Sequence, residues 1–140
     1  MMNPNKFEYF EVTADIGVKV WGKCLNEIFE NAAIAVTSLM ISPIKIEKKI
    51  IKELYIEGND ISSLLINWIT ELLIIRDSEG ILFSDFKVKV LKNEKSLIAK
   101  IYGDQFIGTN LEMDIKAITY SMFKLEKQNE HYYSQFILDI

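Results

Sequence analysis

The stretch CLNEIFENAAIAVTSLMISP, residues 24–43, carries the strongest periodic signal in the chain. Its apolar residues recur at spacings of three and four, which draws one stripe along an α-helix: Leu25, Ile28, Phe29, Ala32, Ala33, Val36, Leu39 and Met40. The pattern stops at Ser42-Pro43. The sequence therefore predicts an amphipathic helix that begins after Cys24, with that cysteine partly buried in a cap position usually taken by Ser or Thr.

The segments on either side of this helix predict strands and a second helix. Leu64 to Arg76 repeats the helical spacing, with Asp60 or Ser62 as its cap. Strand patterns and hairpins cover most of the rest, with a loop between the two hairpins: strands at 7–12, 17–22 and 44–57, hairpins at 86–101 and 113–140, and the loop at 103–110. Residues 1–140 are thus predicted to form a single α+β domain, with two α-helices packed on one face of a largely antiparallel β-sheet.

Composition excludes several classes of protein. The net charge of −4 and the single arginine, Arg76, argue against a large nucleic-acid footprint. The single histidine, His131, excludes His-rich zinc sites, and the single cysteine, Cys24, excludes an internal disulfide and fits a reducing compartment. Apolar runs are far shorter than the roughly 18 residues that cross a bilayer. We expect a cytoplasmic protein that makes no membrane contact.

The end of the chain offers one candidate site. Phe136 to Ile140 is an apolar strand whose only charged side chain is Asp139, and the α-carboxylate of Ile140 is ionised at neutral pH. Two adjacent carboxylates repel each other unless they are solvated, paired with lysine or bridged by a cation, and Ca²⁺ and Mg²⁺ prefer such oxygen ligands. A solvated, frayed terminus remains the simpler alternative.

Asp15 and Lys116 are the other candidates. Asp15 follows a predicted turn, where a carboxylate often only caps its own backbone. A period of two places Lys116 on one strand face with Asp114, Ile118 and Tyr120. Its ammonium group could pair with carboxylates in a purely structural role, or could contact a phosphate or an acidic partner. The residues alone leave these alternatives open.

Five segments, taken in order, resemble the archease family. Residues 11–15 (EVTAD) resemble its Asp-His-Thr-Ala-Asp motif, and residues 22–33 resemble its Gly-x-Ser/Thr-Leu-x-Glu-x-Phe helix start. Residues 64–73 resemble its second helix, and residues 114–120 (DIKAITY) are similar to its Glu-Val-Lys-Ala-x-Thr-Tyr strand. Asp139-Ile140 is similar to its closing Asp-Ile or Asp-Val dipeptide. The resemblance extends from residue 7 to the last residue.

The resemblance implies a small non-catalytic protein that activates the GTP-dependent tRNA-splicing RNA ligase. Archeases promote guanylylation and repeated turnover of that ligase, so tRNA would be met only indirectly, through it. The resemblance also implies a bound divalent ion, calcium in the first place, with Mg²⁺ or Mn²⁺ as alternatives. By position, the ion ligands correspond to Asp15, Asp139 and a backbone oxygen of Ile140, and the residue needed for ligase activation corresponds to Lys116.

The chain departs from the family pattern in three places. Val12 replaces the usual histidine, Thr109-Asn110 occupies a loop that often carries another histidine, and Cys24 replaces the hydroxyl cap.

Two rival interpretations of the function make different predictions. A carboxylate-metal phosphoester hydrolase would turn over substrate alone, whereas a direct RNA-binding chaperone module would bind tRNA in a salt-sensitive manner. A lysine group at Lys45, Lys48, Lys49 and Lys52 could serve the second role, or could be the solvated face of a strand.

Overall fold

The computed structural model describes residues 6–106 and 111–140. Within these ranges the chain forms seven strands, two α-helices and one short 3-10 turn at Pro43–Lys45. The helices are α1 (Leu25–Met40) and α2 (Ile61–Glu79). The strands are β1 (Phe7–Val12), β2 (Asp15–Gly22), β3 (Ile50–Glu57), β4 (Ile81–Val90), β5 (Ser96–Gln105), β6 (Ala117–Gln128) and β7 (His131–Asp139).

The strands form two antiparallel sheets. The first sheet has the order β1-β2-β7-β6, which places the last strand of the chain between an early strand and β6. The second sheet has the order β3-β5-β4. All of the pairings are antiparallel, so the predicted α+β class with largely antiparallel sheet and two helices is confirmed.

Both helices pack with the two sheets around one hydrophobic core. Helix α1 contacts β2 and β4, and α2 contacts β3, β4 and β6, so each helix joins the two sheets. Trp68 of α2 is fully buried, and its indole N–H donates to the Phe29 carbonyl of α1 at 2.9 Å. Neither helix in the described ranges is long and apolar enough to span a membrane.

The two helices begin differently. Asp60, one of the two predicted caps, begins α2: its carboxylate accepts from the Ser63 backbone N–H at 2.8 Å while the Ser63 hydroxyl accepts from the Asp60 N–H at 3.1 Å. Helix α1 begins after Cys24, whose side chain makes no capping hydrogen bond. Cys24 is exposed, so the expectation that it would be partly buried is wrong.

Several predicted boundaries are also wrong. The strand expected from residue 44 starts at Ile50, because Pro43 opens a 3-10 turn. The strand expected from Met113 starts at Ala117. Gly103 was expected in a loop, but it lies in β5 between β3 and β4. The remainder of that loop, including Thr109-Asn110, falls outside the described residues.

Candidate functional site

Asp15 is positioned by a tight hairpin. Val12, the last residue of β1, pairs with Asp15, the first residue of β2, so that only Thr13 and Ala14 form the turn. Ala14 has a φ of +64°, a left-handed conformation typical of the two-residue turns that match strand twist. The turn therefore holds Asp15 at the end of a paired strand, where its side chain is half-buried.

The register of β2 and β7 brings Asp15 opposite Asp139. The two residues are direct partners in the antiparallel pairing, and Asp139 also pairs with Ala117 of β6. Direct partners carry their side chains on the same sheet face, with Cβ atoms about 4.5–5.5 Å apart. The neighbouring pair, Ile16 and Leu138, faces the core, so the two carboxylates lie on the opposite, outer face.

Ile140 follows directly after β7. Its side chain is half-buried and packs against the edge of the core, so the residue is held beside Asp139. The structure thus places Asp15, Asp139 and Ile140, the three sequence-predicted ligand positions, at one end of the first sheet. We call these three residues the candidate ion site.

Lys116 lies next to the same strand end. Its backbone N–H donates to the Asp139 carbonyl at 2.8 Å, one residue before β6 begins. The Lys116 side chain is exposed, and among the described residues its ammonium group forms no ion pair within 4.0 Å. Asp114, which was expected on the same strand face as Lys116, precedes the strand and lies near Arg76 instead.

Arg76 also lies near the segment that leads to Lys116, although sequence reasoning did not assign it to the site. Its guanidinium group is 7% exposed, donates to Asp77 at 2.8 Å and lies 3.8 Å from Asp114. Glu112 also holds the segment that leads to Lys116, because its backbone N–H donates to the Met40 carbonyl at 2.8 Å. Helix α2 and the end of α1 therefore position the segment that leads to Lys116.

The donor set fits a hard divalent cation. Asp15 also lines an open pocket of about 470 Å³ with Glu11, Val12 and Thr13, but Glu11 pairs with Ile16 and so carries its carboxylate on the other face of the sheet. Across the described ranges, no three His, Cys, Asp or Glu side chains are grouped closely enough to hold a metal by themselves. A site with Asp15 and Asp139 side-chain ligands thus needs a backbone oxygen, which Ile140 could supply.

The fold and this carboxylate pair define a class of small α+β proteins in which a β1–β2 hairpin and the last strand share one acidic sheet end. Residues 7–140 match the model of the Archease protein family (MTH1598/TM1083). The chain belongs to the archease family.

Individual relatives are similar in sequence to this chain over most of its length. The chain is 42% identical to the protein archease of Sulfurisphaera tokodaii over 137 residues, which covers 96% of this chain and 99% of the relative. It is 44% identical to the protein archease of Pyrococcus abyssi over 126 residues, which covers 87% of this chain and 89% of the relative.

Two solved structures share the fold. The solution structure of protein 1598 from Methanobacterium thermoautotrophicum has a TM-score of 0.84 and 36% identity, covering 96% of this chain and 99% of that one. The crystal structure of an archease from Thermotoga maritima, described as a possible chaperone, has a TM-score of 0.69 and 20% identity over 94% of each chain. At that identity, the second likeness concerns the fold alone.

Proposed function

We propose that this protein activates a GTP-dependent tRNA-splicing RNA ligase, promoting its guanylylation and multiple turnover. The ligase is the direct partner of this protein and recruits the tRNA. The ligase works in the cytoplasm. In this proposal Asp15, Asp139 and Ile140 hold a divalent ion, calcium or alternatively magnesium or manganese, and Lys116 acts on the ligase. When bound, the ion supplies positive charge that attracts phosphate or carboxylate oxygens.

The observation that carries the proposal is the direct pairing of Asp15 with Asp139. Because the two aspartates are cross-strand neighbours on an outer face, their charges repel unless a cation or solvent separates them. The hydrogen bond from the Lys116 N–H to the Asp139 carbonyl places the lysine beside the same strand end. Asp15, Lys116 and Asp139, which are far apart in the sequence, can therefore contact the same surface of a partner.

Charge complementarity supports docking to an RNA-binding enzyme. The chain has a net charge of −4, whereas an enzyme that holds RNA carries a basic surface. Opposite charges of this kind accelerate encounter and disfavour wrong partners. The exposed Lys116 beside the carboxylates gives the acidic sheet end one positive group that an anionic part of the ligase can recognise.

A multiple-turnover ligation assay with the cognate ligase tests the proposal. We expect wild-type protein to raise the number of RNA ends joined per ligase, while Asp15→Asn, Asp139→Asn and Lys116→Ala each lose most of that stimulation. Asp104→Asn and Lys92→Ala are matched controls, because they make the same changes of charge on the other sheet and in its turn. Both controls should stimulate like wild type.

Two outcomes would contradict the proposal. Full stimulation by the three site variants would remove the role assigned to those residues. Turnover of a phosphoester by the isolated protein, abolished by Asp15→Asn, would instead indicate a hydrolytic metal site.

The ion ligand assigned to Ile140 makes a separate prediction. Adding Gly-Ser-Gly after Ile140 turns the terminal carboxylate of the 140-residue chain into a neutral amide, so we expect Ca²⁺ affinity to fall by about tenfold or more. Isothermal titration calorimetry measures this change. The same tripeptide added at the N-terminus is the control, and equal affinity of both extended chains would show that the carboxylate is not a ligand.

A further inference from the structure

The outer face of the second sheet carries an open cavity of about 570 Å³, remote from the candidate ion site in the strand order. Two rows of cross-strand partners line it. One row is Tyr55, Ile98 and Lys89, and the other is Glu53, Lys100 and Lys87. We call the face made by Tyr55, Ile98, Lys87, Lys89 and Lys100 the lysine face.

The three lysines of the lysine face form no close ion pair in the described part of the chain. Among the described residues, no ion pair within 4.0 Å involves Lys87, Lys89 or Lys100. The lysine group suggested by the sequence is different, because its members are largely neutralised: Lys48 pairs with Asp85, Lys49 with Glu47 and Lys52 with Glu79. The lysines of this sheet that lie outside these ion pairs are thus at positions that the sequence pattern did not single out.

Exposed apolar groups lie between these lysines. Tyr55 on the edge strand β3 is 60% exposed, and its direct partner Ile98 on the central strand β5 is 46% exposed. A sheet face that leaves a tyrosine and an isoleucine in contact with solvent offers a flat surface on which a planar ring can stack. Lys87 and Lys89 are two residues apart on β4, about 6.8 Å, and border this surface along one side.

Two carboxylates also reach the cavity. The Glu30 carboxylate accepts a hydrogen bond from the Val88 N–H at 2.9 Å, and burial raises the pKa of this group. Glu53 lies directly opposite Lys100. One acid is thus held by the backbone of β4 and the other lies opposite a lysine. Three lysines and two carboxylates line the cavity, so its lining carries a net positive charge.

We propose that the lysine face binds single-stranded RNA, with a base stacked on Tyr55 and phosphates on Lys87, Lys89 and Lys100. Proteins that bind single strands combine a cationic surface with exposed aromatic rings, and both are present here. An acidic peptide would use the lysines but would leave the ring without a stacking partner. The proposal goes beyond ligase activation: the contact is too weak to recruit RNA and acts on strands that the ligase already holds.

A few phosphate contacts give a weak and salt-sensitive interaction. With three lysines engaged, the logarithm of the binding constant should fall with the logarithm of salt concentration at a slope of about −2. The dissociation constant at physiological salt should be on the order of 10⁻⁴ M, at the weak end of non-specific binding. Such affinity is consistent with a chain of net charge −4 and a single arginine.

Titration of the ¹⁵N-labelled full chain with octauridylate, without ligase, tests the proposal independently of ligase activation. We expect amide shifts confined to β3, β4 and β5. Tyr55→Ala should weaken binding by about tenfold, and Tyr55→Phe should retain it because stacking needs only the ring. A triple variant that combines Lys87→Gln, Lys89→Gln and Lys100→Gln should lose the salt-dependent part of the binding free energy. The dispersion of the spectra confirms that each variant is folded.

The matched control combines Lys45→Gln, Lys48→Gln and Lys49→Gln, which removes the same charge from exposed positions outside the lysine face. Equal weakening by both triple variants would show a general charge effect and overturn the proposal. An octaglutamate peptide that produces the same shifts with similar affinity would assign the face to acidic protein segments instead. The absence of shifts with octauridylate at about 50 mM salt, where phosphate contacts are still strong, would also refute it.

Discussion

Cys24 occupies the N-cap of α1 in the extended backbone conformation that capping residues adopt, with φ −148° and ψ 171°. Its thiol makes no hydrogen bond to the first turn, whereas Asp60 and Ser63 satisfy the first turn of α2 reciprocally. The first free N–H groups of α1 therefore receive nothing from the cap side chain. The cysteine at this one position therefore makes the start of α1 less stable than a serine, threonine or aspartate cap would make it.

We predict that Cys24→Ser stabilises the protein by about 1 kcal/mol, because a serine hydroxyl accepts from the second or third N–H of the helix. Cys24 is exposed, so the change removes no core contact. Urea denaturation measures the free energy of unfolding. Cys24→Ala is the control and should leave stability nearly unchanged; if alanine stabilises as much as serine, capping is not the cause.

At the scale of the element, the β1–β2 hairpin is held by an aromatic ring lying over a glycine. Phe10 pairs directly with Gly17, and a Cβ atom placed on Gly17 would overlap the Phe10 ring. The Lys19 ammonium lies 5.4 Å from the centre of the same ring. Because Gly17 is two residues from Asp15, this packing supports the strand end that carries the candidate ion site.

Gly17→Ala should therefore destabilise the protein by about 1–3 kcal/mol, since the added methyl group displaces a packed ring. In a Phe10→Ala background the same change should cost much less, because the overlapping ring is gone. Urea denaturation of the four proteins gives a double-mutant cycle with coupling of about 1 kcal/mol or more. Additive effects of the two substitutions would contradict the assigned contact.

At the scale of the whole molecule, Tyr9 links the first sheet to α1. Its hydroxyl donates to the Ala35 carbonyl at 2.6 Å. Burial raises the pKa of Tyr9 from 10.0 to about 12, and a hydrogen bond with Ser38 opposes that shift only in part. Because the folded pKa lies above the ordinary value, the neutral hydroxyl stabilises the fold fully below about pH 10 and less as the pH rises through about 12.

Tyr9→Phe should lower the free energy of unfolding by about 1 kcal/mol at about pH 8, through loss of the bond to Ala35. The difference between wild type and Tyr9→Phe should shrink as the pH rises above about 10, because only wild type has this group to ionise on unfolding. Urea denaturation between about pH 8 and about pH 11.5 measures both. A difference that stays constant over this range would show that the Tyr9 hydroxyl is not linked to folding.

Local patterns in the sequence were sufficient to predict which segments form helices and strands, but not all of their bounds. The stripe from Leu25 to Met40 predicted α1 at its observed bounds, and Asp60 was identified as a cap of α2. One boundary was wrong because non-local contacts override periodicity. Residues before Ala117 alternate like a strand, yet Asp114 lies against Arg76 and Ile115 is buried, so pairing with β7 begins only at residue 117.

Periodicity and residue type are local properties, so the amino-acid sequence was enough to indicate the helices, the strands and, through its motifs, the candidate site residues. The placement of β7 beside β2 with Asp139 opposite Asp15, and of Lys87, Lys89 and Lys100 on the same sheet face as Tyr55, became visible only in three dimensions. Strand order and register depend on contacts between segments far apart in the chain, and a period of two is the same whichever strand becomes the neighbour.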